Sequence, residues 1–178
     1  MHEKDISSEQ LIISTVEIAK KAGESISEVY STDFEYQVKK DLSPITKADN
    51  LSHDIITEKL KILTPNIPIL SEENCDIPYA IRSEWTKYWL VDPLDGTKEF
   101  INKNGDFTVN IALIDNDTPV FGVIHIPVTN ETYWGSKNNG SYHINENNNI
   151  KQIHVSSDTH NPIRLVVSRS QNLNLLNM

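Results

Sequence analysis

Apolar residues recur at three- and four-residue steps from Ile12 through Val16, Ala19, Gly23 and Ile26 to Tyr30, which is the spacing of one helix face. Ser7 and Gln10 stand ahead of them as an S-x-x-Q capping box, so a first helix is predicted over 7–30. Pro44 disfavours helix in the residue before it, and "SPITKAD" (43–49) reads as a loop. A second amphipathic helix is predicted to start near Asp49 or Ser52. Its core face is Leu51, Ile55, Ile56, Ile62 and Leu63, and "TPN" stops it at Pro65.

After Pro65 the period changes. "IPIL" (67–70) and "KYWLV" (87–91) are short apolar runs of the kind found in covered strands. Residues 107–114 and 120–126 form two further strands, separated by a turn at "DNDTP", and 132–136 is a third member of an antiparallel set. The Asn-rich stretch 145–150 reads as a solvated loop, and "IRLVVS" (163–168) begins a fresh strand. Two helices followed mostly by strands, without internal repeats, predict α+β or layered α/β with a mixed sheet. The sequence reaches "NLNLLNM" within ten residues of that last strand, an arrangement expected to leave a sheet unfinished.

Composition narrows the partners. The chain has 178 residues and a net charge of −9, enough for one domain or one domain and part of another. Nucleic acid and anionic membrane surfaces are gripped by clustered Lys and Arg, and no basic run here exceeds a pair such as Lys39-Lys40. An acidic protein can still take a phosphorylated small molecule when a cation mediates the contact. Cys75 is the single cysteine, which excludes a disulfide framework and a Cys/His zinc set. A polar N-terminus and the lack of any apolar run of about 18 residues predict no signal peptide and no membrane span. A cytoplasmic setting is expected.

Three acidic groups carry candidate chemistry. "LSEEN" places Glu72 and Glu73 after the strand 67–70, "VDPLDGT" places Asp92 and Asp95 after the strand 87–91, and "TKAD" places Asp49 at a loop-to-helix boundary. If the two strands are neighbours, their C-terminal ends bring Glu72, Asp92 and Asp95 to one sheet edge, where ligands sit in open α/β sheets. Carboxylates so close either raise a pKa or call in a cation. Oxygen ligands without His or Cys favour a hard ion such as Mg²⁺. Pro93 stiffens the backbone between the aspartates, the Leu94 carbonyl can turn to the same ion, and Gly96 permits a tight turn. Thr97 opens a short helix, "TKEFI", whose N–H groups can receive an anion. Asp-Pro and Asp-Gly are also ordinary turn formers, and Asp near a helix start is an ordinary cap; Glu72 at the preceding strand end tips the reading toward ligands. Glu73 reads as a solvated or supporting group. None of the histidines pairs at metal spacing, and His53 reads as a helix-surface residue. Trp85, Tyr88 and Trp89 read as packing.

"LSEEN" followed by "WLVDPLDGTKEFI" resembles the lithium-sensitive, Mg²⁺-dependent phosphomonoesterases of the inositol monophosphatase superfamily. "SPITKADNLSH", "LTPNIPILSEE", "KYWLVDPLDGTKEFINKNGDFTVNIALI" and "VVSRS" are similar to its 3'(2'),5'-bisphosphate nucleotidase branch, the enzymes of sulfur assimilation. The resemblance runs from about residue 9 to 171. It implies the N-terminal half of the αβαβα sugar-phosphatase fold, with residues 1–160 as a metal-binding αβ domain and 161–178 as the start of a truncated C-terminal αβ domain. It further implies two or three Mg²⁺ ions. Glu72 would ligate the first and orient the attacking water, Asp92 would bridge two, the Leu94 carbonyl would bind the first and Asp95 the second. Thr97 would hydrogen-bond the water, Asp49 would support that water or a third ion, the Gly96 and Thr97 N–H groups would hold the phosphate, and Ser168 would reach the nucleotide. Gln171 stands where the family often has His.

The reaction implied is in-line attack of a metal-activated water on the 3'-phosphate of adenosine 3',5'-bisphosphate, giving AMP and phosphate. Full members continue into a second half with a "W-D-x-A-A" type segment whose Asp is the other side-chain ligand of the second ion. The expected partners are therefore a nucleotide bisphosphate, and a homodimer mate or a separate C-terminal half. A peripheral position at the inner membrane also fits the resemblance. Two alternatives stand beside the nucleotidase: an inactive phosphate- or Mg²⁺-binding fragment or interaction module, and an inositol-monophosphatase-type sugar phosphatase.

Overall fold

The computed structural model describes residues 8–38, 44–74 and 76–157. The apolar stripe of the first predicted helix becomes α1 (Ser8–Tyr30), with Ile12, Val16, Ala19 and Ile26 buried as expected and Ile18, Ala22 and Val29 widening the stripe. Ser7 of the expected capping box lies outside the described residues; Gln10 donates from its amide to Ser14 Oγ at 3.1 Å. Residues 44–46, expected in a loop, instead form the short strand β2 (Pro44–Thr46), antiparallel to β1 (Tyr36–Val38). Extended backbone is what a proline tolerates at a strand's first position.

α2 (Lys47–Leu63) starts earlier than expected because Thr46 is its N-cap. The Thr46 hydroxyl accepts from Ala48 N–H, and Asp49 answers from the first turn in a capping box. Ala48, Ile56 and Leu60 are its fully buried apolar residues and Asp49 and Ser52 its fully buried polar ones, with Leu51, Ile55 and Leu63 partly buried. Ile62, expected in the core, is 73% exposed: it lies two positions beyond Leu60, which turns it to the far side of a 3.6-residue helix.

Seven strands form one mixed sheet in sequence order: β3 (Ile69–Ser71), β4 (Lys87–Asp95), β5 (Thr108–Asp115), β6 (Thr118–Ile126), β7 (Glu131–Ser136), β8 (Gly140–Ile144) and β9 (Ile150–Ile153). β3 and β4 are parallel, joined through the short helix α3 (Tyr79–Arg82), and every later pair is antiparallel. The β5–β6 turn narrows to Asn116-Asp117, both at positive φ, as a tight hairpin requires. β1, α3, β8 and β9 were not anticipated. The Asn-rich stretch is the β8–β9 turn: Asn145 Oδ1 accepts from the backbone N–H groups of Asn147 and Asn149. Asparagine serves there by mimicking a backbone turn. The expected strand 163–168 lies outside the described residues.

α1 and α2 cover one sheet face, and the core lies between them: Trp89, Val91, Val109, Ile111, Phe121 and Val123 meet the helices' apolar stripes. Trp89 is buried as expected and donates from Nε1 to Thr64 Oγ1 at 2.9 Å. Among the described residues the opposite face is open, with Leu90 43% and Ile124 47% exposed. The layered α/β expectation is met. No described helix is long and apolar enough to cross a membrane.

One close approach locks the layers together. The buried His125 ring on β6 lies over Gly23 of α1, where a Cβ would come within 2.3 Å of Cδ2 and 2.5 Å of Nε2. His125 Nδ1 pairs with Thr132 Oγ1 at 2.9 Å. Burial and the Lys20 charge lower its pKa to about 4. Gly23→Ala is expected to destabilise the fold by about 1–3 kcal/mol, the range for overpacking. Urea denaturation checks this, and the loss should shrink when His125→Ala makes room. The same histidine sets a pH slope. Its folded pKa lies below the ordinary 6.5, so its contribution is present above pH 6.5 and lost as pH falls toward 4.

Candidate metal centre

β3 and β4 are neighbours, so their C-terminal ends do share one edge. Ser71 pairs with Val91, and the Glu72 N–H donates to the Val91 carbonyl at 3.0 Å. Glu72 therefore enters the turn beside Asp92. The two carboxyls are close enough for a side-chain hydrogen bond between them.

The aspartates lie within β4, in its last four residues, where the sequence pattern had placed them beyond the strand's end. In a regular strand residues three apart point to opposite faces. Here Asp92 pairs with Asn110 and Asp95 with Thr108: three steps on β4 match two on β5. The extra residue is a β-bulge, and it reverses the alternation, so Asp92 and Asp95 share the open face. Pro93 fits there because it has no ladder N–H to lose, and its carbonyl is held by Ser52 Oγ of α2 at 2.7 Å.

Gly96 follows with φ 92°. A Cβ there would sit 2.8 Å from the Asp106 carbonyl oxygen, so both the conformation and the space require glycine. α4 (Thr97–Ile101) then turns back under an aromatic cluster. Phe100 lies 5.2 Å from both Tyr30 and Phe107 and 4.6 Å from Phe34 by ring centroids. The Lys103 ammonium caps the end of α1, donating to the Tyr30 and Thr32 carbonyls while lying 4.5 Å from the Tyr30 and Phe34 rings. This cluster ties the turn at 92–97 to the helical layer.

Thr97 and Asp49, 48 positions apart, meet directly: Thr97 Oγ1 lies 3.1 Å from Asp49 Oδ1 and 3.3 Å from the Leu94 carbonyl. Asp49 is buried, and its Oδ2 accepts from Thr46 N–H at 2.7 Å and Thr46 Oγ1 at 2.6 Å. The expected residues thus form two linked groups, Glu72–Asp92–Asp95 and Asp49–Thr97–Leu94 carbonyl, joined through the 92–97 turn. Ser168 and Gln171 lie outside the described residues.

Electrostatics mark Asp92. Burial, then the charges of Glu72 and Asp95, push its pKa up to about 7, with the Leu94 backbone N–H working the other way. Its Oδ1 is buried and has no hydrogen-bond partner. An orphaned carboxylate oxygen beside two more carboxylates fits a hard divalent cation, which supplies the missing partner and removes the repulsion. Among the described residues no three His, Cys, Asp or Glu side chains already close around a common point. Mg²⁺ needs no such cluster, since it takes only one or two carboxylates and completes its shell with carbonyls and water.

Two residues exceed the sequence reading. His53, expected at the helix surface, is half-buried, and its Nδ1 bonds Ser71 Oγ at 2.8 Å. Desolvation lowers its pKa. This ties α2 to the residue before Glu72. Asn110 bonds Asp95, and only the alternation of β5 opposite Asp92 could have singled it out.

The inositol monophosphatase family profile matches residues 7–175. This chain belongs to the inositol monophosphatase family. It is 41% identical over 157 residues to the 3'(2'),5'-bisphosphate nucleotidase CysQ of Aggregatibacter actinomycetemcomitans, a match covering 88% of this chain and 58% of that protein. With the CysQ nucleotidase of Escherichia coli (strain K12) the identity is 47% over 157 residues, covering 86% and 61%. The chain therefore spans about three fifths of these relatives. Among solved structures, CysQ from Bacteroides thetaiotaomicron, described as a bacterial member of the inositol monophosphatase family, superposes with TM-score 0.69 at 38% identity, covering 88% of this chain and 55% of that one. The extragenic suppressor protein suhB from Bartonella henselae gives 0.72 at 28%, covering 83% and 55%. Family members thus share the helix-on-sheet frame that holds the 92–97 turn.

Proposed function

We propose that this chain carries the metal- and phosphate-handling part of a Mg²⁺-dependent 3'(2'),5'-bisphosphate nucleotidase. Its reaction would convert adenosine 3',5'-bisphosphate and water to AMP and phosphate. The observation that carries the reading is the orphaned Asp92 oxygen between Glu72 and Asp95, in a chain 41–48% identical to several curated CysQ nucleotidases. Glu72, Asp92, Asp95 and the Leu94 carbonyl would hold two or three ions, which supply charge neutralisation for the phosphate and acidify the attacking water.

The protein's own part is positioning and proton handling. Thr97 Oγ1 donates to Asp49, which leaves its lone pairs to accept from a water. As that water's oxygen bonds to phosphorus and the bond to the 3'-oxygen breaks, its proton can pass to Thr97 while Thr97 passes its own to Asp49, and the departing 3'-oxygen takes a proton from a solvent water to become the hydroxyl of AMP. The Gly96 and Thr97 N–H groups would hold phosphate oxygens, and Ser168 would reach the nucleotide. A groove of about 850 Å³ runs from Glu72 and Asp92 along the open sheet face over Ala112, Gly122 and Gly135. These small side chains leave room for a covering layer. This face would seat the remainder of the family fold, the two fifths of the CysQ relatives that this chain does not span.

Phosphate release from adenosine 3',5'-bisphosphate in Mg²⁺, and its suppression by Li⁺, tests the reading. Release is expected to be faster than from inositol 1-phosphate. The opposite order would assign the site to sugar phosphates, and Mg²⁺-independent release would remove the metal centre from the mechanism.

A further inference from the structure

We propose that Asn110 is a positioning residue for the metal centre, holding the Asp95 carboxylate by one oxygen so that the other is presented to a cation; this rests on the metal-centre reading above. Asp95 sits at an exposed strand end, where a carboxylate otherwise keeps free rotation about two side-chain bonds. Asn110 Nδ2 donates to Asp95 Oδ2 at 3.1 Å. The amide is itself held, because Thr108 Oγ1 donates to Asn110 Oδ1 at 3.1 Å. The reverse orientation of the amide would set its oxygen against the carboxylate. A directed chain therefore runs Thr108 hydroxyl, Asn110 amide, Asp95 carboxylate.

The sheet register explains why this chain exists. Asn110 is the cross-strand partner of Asp92, and Thr108 is that of Asp95. Residues 108 and 110 are two apart on β5 and so point to one face. The β4 bulge brings both aspartates to that same face. Asn110 thus stands opposite one carboxylate while bonding the other. A neutral donor suits this position: it engages Asp95 without the cation competition that Lys or Arg would bring. Groups that orient metal-binding carboxylates typically change metal affinity 10–100-fold when removed.

The test is calorimetric titration of the 178-residue chain with Mn²⁺, with metal-free thermal unfolding run in parallel. Asn110→Ala is expected to weaken Mn²⁺ binding about tenfold and to have no further effect once Asp95→Ala is present. Thr108→Val should weaken binding less, in the same direction, with Thr108→Ser restoring it. Binding by Asn110→Ala within twofold of the parent overturns the proposal. So does an equal loss with and without Asp95, which would mean a general structural effect. If the metal-free melt shows that Asn110→Ala does not fold, the decision passes to Thr108→Val: unchanged affinity there overturns the proposal, and a loss rescued by Ser supports it. Asp92→Asn separates the two levels. If it too leaves Mn²⁺ affinity unchanged, the metal-centre reading fails and this proposal with it. If it abolishes binding while Asn110→Ala changes nothing, only the Asn110 role fails.

Discussion

Asp92→Asn is expected to abolish divalent-ion binding and, in the ion-free protein, to raise stability at pH 8. The two effects have one cause. Asp92 is pushed to about 7 by burial and by the charges of Glu72 and Asp95, so its ionised form is the strained one until a cation arrives. The sign follows from proton linkage. The native chain keeps the Asp92 proton that the unfolded chain releases near its ordinary 3.8, so the group's contribution to stability is full below about pH 4. It is lost as pH rises through 7. The amide removes that slope. His125 contributes the opposite slope between 6.5 and 4 in parent and variant alike, so the difference between them isolates Asp92. Urea denaturation in EDTA at pH 4.5, 6 and 8 reads it out, and an unchanged difference across that range would contradict the assignment. For binding, losing an orienting neighbour already costs 10–100-fold, and losing the ligand should exceed the upper end of that range. Mg²⁺ should then raise the melting temperature of the parent and leave the variant unmoved.

Asp49→Ala is expected to combine a fold defect with a catalytic one. Its carboxylate accepts from Thr46 N–H, Thr46 Oγ1 and Thr97 Oγ1. Removing it strips the α2 capping box and leaves buried donors unmatched, a loss of about 2–4 kcal/mol. It also removes the group proposed to receive the Thr97 proton, and such general acid–base contributions are typically 10²–10⁴-fold in rate. Thr97→Val separates the two. It keeps the cap, so chemical denaturation should shift little, while phosphate release falls by a similar factor. Full release by Thr97→Val would exclude the Thr97–Asp49 pair from the reaction.

The helices were legible because a 3.6-residue stripe is a local signal. α1 matched its expected span, and α2 differed at its start because Thr46, not Asp49 or Ser52, makes the cap. Strands β3 to β7 were legible from short apolar runs between turn formers. β1, β8 and β9 were not, since "YQV", "GSYHI" and "IKQI" are short or half polar and become strands by pairing. The candidate site divides in the same way. The residue types in "SEE" and "DPLDGT" already put oxygen donors near strand ends, a donor set that suits a hard cation. The contact of His53 with Ser71 was not legible because the two residues lie 18 positions apart.

What the sequence by itself determined is the chemistry on offer: carboxylates, a proline, a glycine and a threonine in one turn, on a chain with two amphipathic helices and a sheet. The tertiary structure decided how that chemistry is aimed. The bulge against β5 turned Asp92 and Asp95 to one face, the return of α2 brought Asp49 under Thr97, and the β5 register set Asn110 between the aspartates. The physical reason is range. Periodicity and turn preference act over a few residues, whereas the side a strand residue faces depends on a register summed along its whole pairing, and one extra residue reverses it.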